Sequence, residues 1–271
     1  MGARLHPQFL TNYLLRGQLI MNVNRNLIVG DIHGHYDKLM AALETAGFSD
    51  SDTLYSVGDL FDRGLENLKV FQFCKSLGNR FKPVFGNHDI YSFQYLKDDL
   101  DELTRLTWFH NGGGTTLHEF SQLSTEEKQD ILNWLGNFMY VRNVDGARIL
   151  HTTAYLNTWD NFDIEFLTLK GSIDSGFVRD TAFDGYVFDR EIFTKGLQEE
   201  PLPEGSYFNS SSPLTIIGHT CMRNGKATYI PSINCINIDT GVFTIGGCLT
   251  VMDINSLEGF NSKGDSYVLD I

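Results

Sequence analysis

The chain is short of cations, of cysteines and of long apolar runs. Lys and Arg total 21 against 34 Asp and Glu in 271 residues, a formal net charge of −13. That deficit argues against non-specific nucleic-acid binding, which needs a basic surface to meet the phosphates. A phosphorylated ligand can still be held where a metal and a few arginines reverse the potential in one cleft. The four cysteines, Cys74, Cys221, Cys235 and Cys248, show no Cys-x-x-Cys spacing. Reduced core thiols of a cytosolic protein therefore rank ahead of disulfides or zinc. No segment approaches the ~18 apolar residues of a membrane span, and the start of the chain lacks the apolar core and cleavage site of a secretory signal. No repeat or low-complexity linker divides the sequence. The expectation is a cytoplasmic globular protein, one domain over residues 1–271 with an N-terminal arm over 1–24.

Three stretches stand out against this background: Leu27-Ile28-Val29-Gly30-Asp31-Ile32-His33-Gly34, Val57-Gly58-Asp59-Leu60-Phe61-Asp62-Arg63-Gly64 and Val84-Phe85-Gly86-Asn87-His88-Asp89. Each ends a short apolar run at a Gly and then sets down side chains that hold metal or protons. One such Gly-Asp is a turn; three in close succession are a site.

The patterns between them are helical. Leu39, Met40, Leu43 and Ala46 share one face of a helix near 36–46, and Leu68, Phe71, Cys74 and Lys75 recur at helical spacing over 65–77. With strands at 27–30, 54–57 and 83–85 and a further helix over 88–97, this is a run of βαβ units and a largely parallel sheet. Ligands in such sheets sit beyond the carboxyl ends of the strands, where the three polar clusters fall. Asn111-Gly112-Gly113-Gly114 reads as a flexible turn. Ser124-Thr125-Glu126-Glu127 is a capping box opening a helix to about 135. Thereafter the chain turns to strands: a hairpin over 139–152 about Asp145-Gly146, then 214–218, 233–238 and 242–254, with a turn at Asn224-Gly225. Residues 156–212 read as irregular excursions around a central segment 186–193. Helical crossovers followed by hairpins imply two packed sheets with helices outside.

Oxygen and imidazole donors suit hard divalent ions, and a carboxylate can bridge two of them. Asp31, His33, Asp59 and Asn87 come from the three clusters; His151 and His219 end the later apolar runs 148–150 and 216–218. Together they make a set for two metals, which could bind a water, lower its pKa and aim it at phosphorus. His88 is left free to protonate a leaving oxygen, with Asp62 fixing its tautomer. Arg63 offers a planar fork for phosphate oxygens. His35, His110 and His118 match no motif.

Gly30-Asp31-Ile32-His33-Gly34, Gly58-Asp59-x-x-Asp62-Arg63-Gly64 and Gly86-Asn87-His88 resemble the three signature motifs of the phosphoprotein phosphatase family of calcineurin-like metallophosphoesterases, and most of all its small bacteriophage lambda type of Ser/Thr protein phosphatase. The likeness spans about residues 26–120 and resumes at His151, Asp189-Arg190-Glu191, Gly218-His219-Thr220 and Ile238-Asp239-Thr240-Gly241. It implies an α/β (α+β) four-layer sandwich, two mixed β-sheets flanked by helices. One metal would take Asp31, His33 and Asp59; the other would take Asp59, Asn87, His151 and His219, with Asp59 bridging. His88 with Asp62 would serve as the acid, and Arg63 and Arg190 would grip the phosphoryl oxygens. The ions would be manganese, with iron or zinc as alternatives. The reaction implied is hydrolysis of phosphomonoesters on phosphoserine or phosphothreonine proteins, or on small phosphoesters, by metal-bound hydroxide.

Three departures qualify that match. The family's arginine before Gly-Asn-His is Phe85 here, unless Arg80, Lys82 or another basic group replaces it. Asp89 stands for the usual glutamate, and His151-Thr152-Thr153-Ala154 is not the usual His-Ala-Gly. The sister group of symmetrical diadenosine tetraphosphatases also carries Gly-Asn-His-Asp after an apolar residue, so dinucleotide hydrolysis is the alternative. A phospho-ligand binding protein without turnover is a second alternative.

Overall fold

Six strands, β1 Asn26–Val29, β2 Thr53–Ser56, β3 Phe81–Pro83, β9 Thr250–Asp253, β10 Glu258–Asn261 and β11 Ser266–Val268, make one sheet, and five, β4 Arg142–Val144, β5 Ala147–Ile149, β6 Thr215–Ile217, β7 Thr228–Ile230 and β8 Cys235–Asn237, make another. The computed structural model describes residues 24–153, 168–174, 190–202, 208–222 and 224–271. All but the last residue of the arm read over 1–24, and the greater part of the 156–212 excursion, including 186–189, lie outside the described residues.

The first sheet runs β11-β10-β9-β1-β2-β3 and the second β4-β5-β6-β8-β7. β1, β2 and β3 pair in parallel, while β9 joins β1 antiparallel. In the second sheet β5, β6 and β8 are parallel, edged by antiparallel β4 and β7. Both sheets are thus mixed, as expected. Side chains alternate across each strand: Ile28, Val57 and Met252 of the first sheet meet Ile149, Ile216 and Ile236 of the second in one buried cluster. Leu27, Val29 and Leu54 face the other way and pack with Leu39, Ala42, Leu43, Val70 and Phe71. These last belong to helices α1 Tyr36–Thr45 and α2 Asn67–Ser76. Two stacked sheets therefore sit under flanking helices. Cys74, Cys235 and Cys248 are buried thiols, as read, whereas Cys221, read with them as a core residue, is only partly buried. Among the described residues no helix is long and apolar enough to cross a membrane.

Several boundaries differ from the sequence reading. The third strand ends at Pro83 rather than running over 83–85: the Val84 amide still reaches the Ser56 carbonyl (2.9 Å), but the amide of Phe85 turns away to the Met139 carbonyl (2.9 Å). Helix α3 then covers Asn87–Leu96. Asn111–Gly114 is not a flexible turn. Helix α4 Glu102–Trp108 passes through a π-helical turn, with Gly112 at φ 105°, into α5 Gly114–Ser121. Only a residue without Cβ takes that φ cheaply, and a Cβ there would also meet Arg63 Cγ at 2.6 Å. Helix α6 Thr125–Leu135 starts at the expected box, Ser124 and Glu127 each capping the other's amide. The stretch read as a strand over 242–254 narrows to β9, because Gly241 and Gly246 take φ of 70° and 80° and fold 241–247 into a loop. The strand read over 233–238 narrows to β8, preceded by a 3-10 turn at Pro231–Ile233. Short helices α7 Leu169–Asp174 and α8 Glu191–Leu197 complete the described chain.

Candidate active site

Each sheet contributes three parallel strands, and the six carboxyl ends converge. β1 delivers Asp31 and His33, β2 delivers Asp59, Asp62 and Arg63, and β3 leads to Asn87 and His88. From the other sheet β5 delivers His151, β6 His219 and β8 Asp239. The chain must turn sharply to present them: His33, Asp59, Asp62, Arg63 and His219 all hold positive φ, between 46° and 77°. Each such residue costs on the order of 1–3 kcal/mol and persists only where its surroundings fix it. The glycines beside them have no room for a side chain. A Cβ on Gly86 would lie 2.1 Å from Asp59 Oδ1, and one on Gly218 would lie 2.0 Å from Asp31 Oδ1.

Asp31, His33, Asp59, Asn87, His151 and His219 are all buried. The Nδ1–H of His33 donates to the Phe61 carbonyl (2.9 Å), which turns Nε2 toward Asp31 Oδ2 (4.0 Å) and Asp59 Oδ2 (3.7 Å). In the same manner His151 Nδ1 donates to the Val57 carbonyl (2.7 Å) and faces Nε2 to Asn87 Oδ1 (3.2 Å) and Asp59 Oδ1 (3.5 Å). Nδ1 of His219 lies 3.1 Å from that same Nε2. The backbone amide of His219 donates to both Asp31 oxygens, at 3.2 and 3.0 Å. Donor atoms of Asp59, His151 and His219 lie within 4.8 Å of one another, and so do those of His33, Asp59 and His88. Asp59 belongs to both groups.

The electrostatics of this cluster call for cations. Burial, then the charges of Asp239 and Asp59, raise the Asp31 carboxyl well above the usual range. Burial and Asp59 push Asp239 up to about 6, against the amide of Gly241. Burial also keeps the imidazoles of His33 and His151 neutral, their pKa lowered. Crowded carboxylates beside neutral imidazoles whose outer nitrogens are tied to carbonyls are the donor set that divalent ions fill and charge-balance.

His88 is differently held. Its Nδ1 lies 2.5 Å from Asp62 Oδ2, and its backbone amide donates to Asp59 Oδ1 (2.9 Å). Asp62 is fully buried and saturated: Oδ2 also takes the indole N–H of Trp108 (2.5 Å), and Oδ1 takes the Thr116 hydroxyl (2.5 Å). Burial pulls His88 down, but Asp59 and Asp62 outweigh it and raise its pKa. Arg63 spans the cluster, with Nη1 2.5 Å from His33 Nε2 and Nη2 3.1 Å from His88 Nε2. Arg190 reaches the His219 carbonyl (3.4 Å) from the opening of α8. All ten residues singled out in the sequence thus gather in one place.

Other residues emerge only in three dimensions. Asp239 sits at the end of β8 as the ligand candidates do on their strands. An apolar run ending in Ile238-Asp239 was its signal, and the likeness to a family gave it no role. Trp108, Thr116 and Asn67, whose Oδ1 takes the Asp62 amide (2.8 Å), come from helices and carry no signature. Asp89 clamps the loops: its carboxylate accepts from the amides of Asp59 (2.9 Å), Leu60 (3.0 Å) and Gly86 (2.9 Å). Phe85 is 1% exposed and packs on Tyr140, at 5.8 Å between centroids. It therefore lines no cleft. Arg80 is no substitute for the absent arginine, since its guanidinium donates to the carbonyls of Ser49 (3.1 Å) and Asp52 (3.2 Å).

Comparison with known proteins points the same way. The model of the calcineurin-like phosphoesterase family matches residues 25–204. A symmetrical bis(5'-nucleosyl)-tetraphosphatase of Hamiltonella defensa subsp. Acyrthosiphon pisum (strain 5AT) is 43% identical over 140 residues, 50% of this chain and 46% of the relative. One from Photorhabdus laumondii subsp. laumondii is 32% identical over 143 residues, 49% of this chain and 45% of the relative. The matches thus span less than half the length of these curated relatives. Among solved structures, a cold-active protein-tyrosine phosphatase of a psychrophilic Shewanella superposes with a TM-score of 0.60 at 16% identity, covering 92% of this chain and 81% of that one. A protein serine/threonine phosphatase from Saccharomyces cerevisiae gives a TM-score of 0.54 at 13% identity, with the same coverage of 92% and 81%. At such identities the structures attest a shared fold.

Proposed function

The chain belongs to the calcineurin-like phosphoesterase family, and on that premise we propose that it is a metal-dependent phosphatase of phosphomonoesters on serine and threonine. Asp31, His33 and Asp59 would hold one divalent ion and Asp59, Asn87, His151 and His219 a second, manganese being the ion proposed. Such ions, when bound, activate water and neutralise the charge on phosphorus.

The chain's own groups supply the rest. Arg63 and Arg190 orient the phosphoryl oxygens through charge-assisted hydrogen bonds. Asp62 keeps the proton of His88 on Nδ1 and favours a second on Nε2, the atom that faces the leaving oxygen. Burial of both partners excludes water that would otherwise compete for that proton.

The observation that carries this reading is the 2.5 Å contact of His88 with a fully buried Asp62. A serine or threonine alkoxide leaves only if it is protonated in the transition state, so a built acid is needed. A nucleotide phosphate, whose second pKa is about 6, leaves as an anion without one. A second reading, symmetrical cleavage of dinucleoside tetraphosphates, is favoured by the sequence relatives and by Phe85 in place of the arginine.

The test is phosphate release with added manganese from a phosphoserine peptide, p-nitrophenyl phosphate and diadenosine tetraphosphate. Preference for the monoesters is expected. Efficient conversion of the dinucleotide to two diphosphates would establish the second reading instead.

A further inference from the structure

We propose that Phe243, a residue in the 241–247 loop, is a positioning residue that fixes the plane of the Arg63 guanidinium. Arg63 Cζ stands 4.0 Å from the centroid of the Phe243 ring. The ring meets the His33 imidazole edge-on, at 5.2 Å and 87°. The same side chain is tethered at its root, Nε facing the Asn111 carbonyl (3.4 Å) and the backbone amide donating to the Gly112 carbonyl (2.9 Å), which leaves Nη1 and Nη2 directed into the site beside His33 and His88. With Phe243 on one face and the Asn111 carbonyl at Nε, the fork has its rotation and its tilt both constrained. A long side chain that would otherwise sample many rotamers is thereby set beforehand in one orientation.

The loop is built to hold the ring there. Lys38 of α1 donates to the Val242 carbonyl (2.5 Å), anchoring the residue before Phe243. Gly241 turns with φ 70°, and both the amide and the hydroxyl of Thr244 return to its carbonyl at 2.8 Å. A Cβ on Gly247 would strike that carbonyl oxygen at 1.7 Å, so the two arms of the loop are in contact. Phe243 itself remains 38% exposed. Burial alone does not account for a phenyl group here; the cation beneath it does.

The proposal rests on the reading that Arg63 grips phosphoryl oxygens, and inorganic phosphate tests it without reference to the substrate. Phosphate binding to the manganese-loaded full chain is measured by calorimetry for the native protein, Phe243→Leu, Phe243→Tyr, Arg63→Lys and the Arg63→Lys/Phe243→Leu double variant. Phe243→Leu should weaken phosphate binding about two- to fivefold, the range of a partly exposed cation–π contact. KM for p-nitrophenyl phosphate should rise by a similar factor while kcat falls less. Phe243→Tyr should restore both values. In the Arg63→Lys background, where the stacked fork is gone, the leucine should cost nothing more. Native phosphate affinity in Phe243→Leu, or an equal loss in both backgrounds, would overturn the proposal. If phosphate binding shows this coupling while only the dinucleotide is cleaved, the role of Phe243 stands and the monoesterase reading falls.

Discussion

Nδ1 of His88 lies 2.5 Å from Oδ2 of Asp62, and that oxygen is held in turn by the indole N–H of Trp108 at 2.5 Å. A carboxylate so tied cannot rotate to release the imidazole. Three segments distant in sequence, 59–64, 87–96 and 102–121, are thereby locked around one proton.

Removing the carboxylate should show in the pH dependence. On the proposed mechanism the protonated imidazole would be the acid, and its raised pKa, owed to Asp59 and Asp62, would keep it charged to higher pH than an ordinary histidine. Activity should therefore persist above a pH of about 6.5 and fall as pH rises through the His88 pKa. In Asp62→Asn the alkaline limb should move to lower pH, and kcat on phosphoserine peptide should drop by about 10²–10⁴-fold. An unmoved limb in a folded variant would remove Asp62 from this role.

Gly218 tests the ligand geometry without touching a ligand. A Cβ there would lie 2.0 Å from Asp31 Oδ1 and 2.5 Å from Val57 Cγ2. Gly218→Ala should displace the Asp31 carboxylate and lower the manganese bound per chain after dialysis, with the far-UV spectrum unchanged. Full retention of metal would contradict the placement of Asp31.

Phe85 now predicts the opposite of what a missing clamp implies. Its ring is packed on Tyr140 in the core, so an arginine there would bury a charge with no partner. Phe85→Arg should lower stability by more than about 3 kcal/mol in urea titration and bring no gain in kcat/KM on aryl phosphates. A stable, more active variant would show that the side chain can turn into the cleft.

These contrasts mark what can be read from a sequence. That Asp31, His33, Asp59, Asn87 and His88 come together was legible because strand ends, glycines and candidate ligands are contiguous in each of the three stretches. The two-sheet architecture was legible because Leu27-Ile28-Val29 and Ile216-Ile217 are buried on both faces. Trp108, Thr116 and Phe243 were not, because ordinary helical or loop residues gain their roles only when the chain brings them to Asp62 or Arg63. The fate of Phe85 was hidden for a related reason: the side a residue faces after the last strand pair depends on Met139, more than fifty positions away. Gly112 misled by its neighbours, since a run of glycines reads as a hinge yet here one of them closes a helical kink against Arg63.

The most direct measurement is the dependence of rate on leaving group for the native enzyme and His88→Asn, over a series of alkyl and aryl phosphates of differing acidity. If His88 donates the proton, the native rates should vary little across the series, and the variant should lose most on alkyl esters and least on nitrophenyl phosphate. Equal losses across the series would contradict the acid role of His88, and with it the argument that this site is built for esters of alcohols.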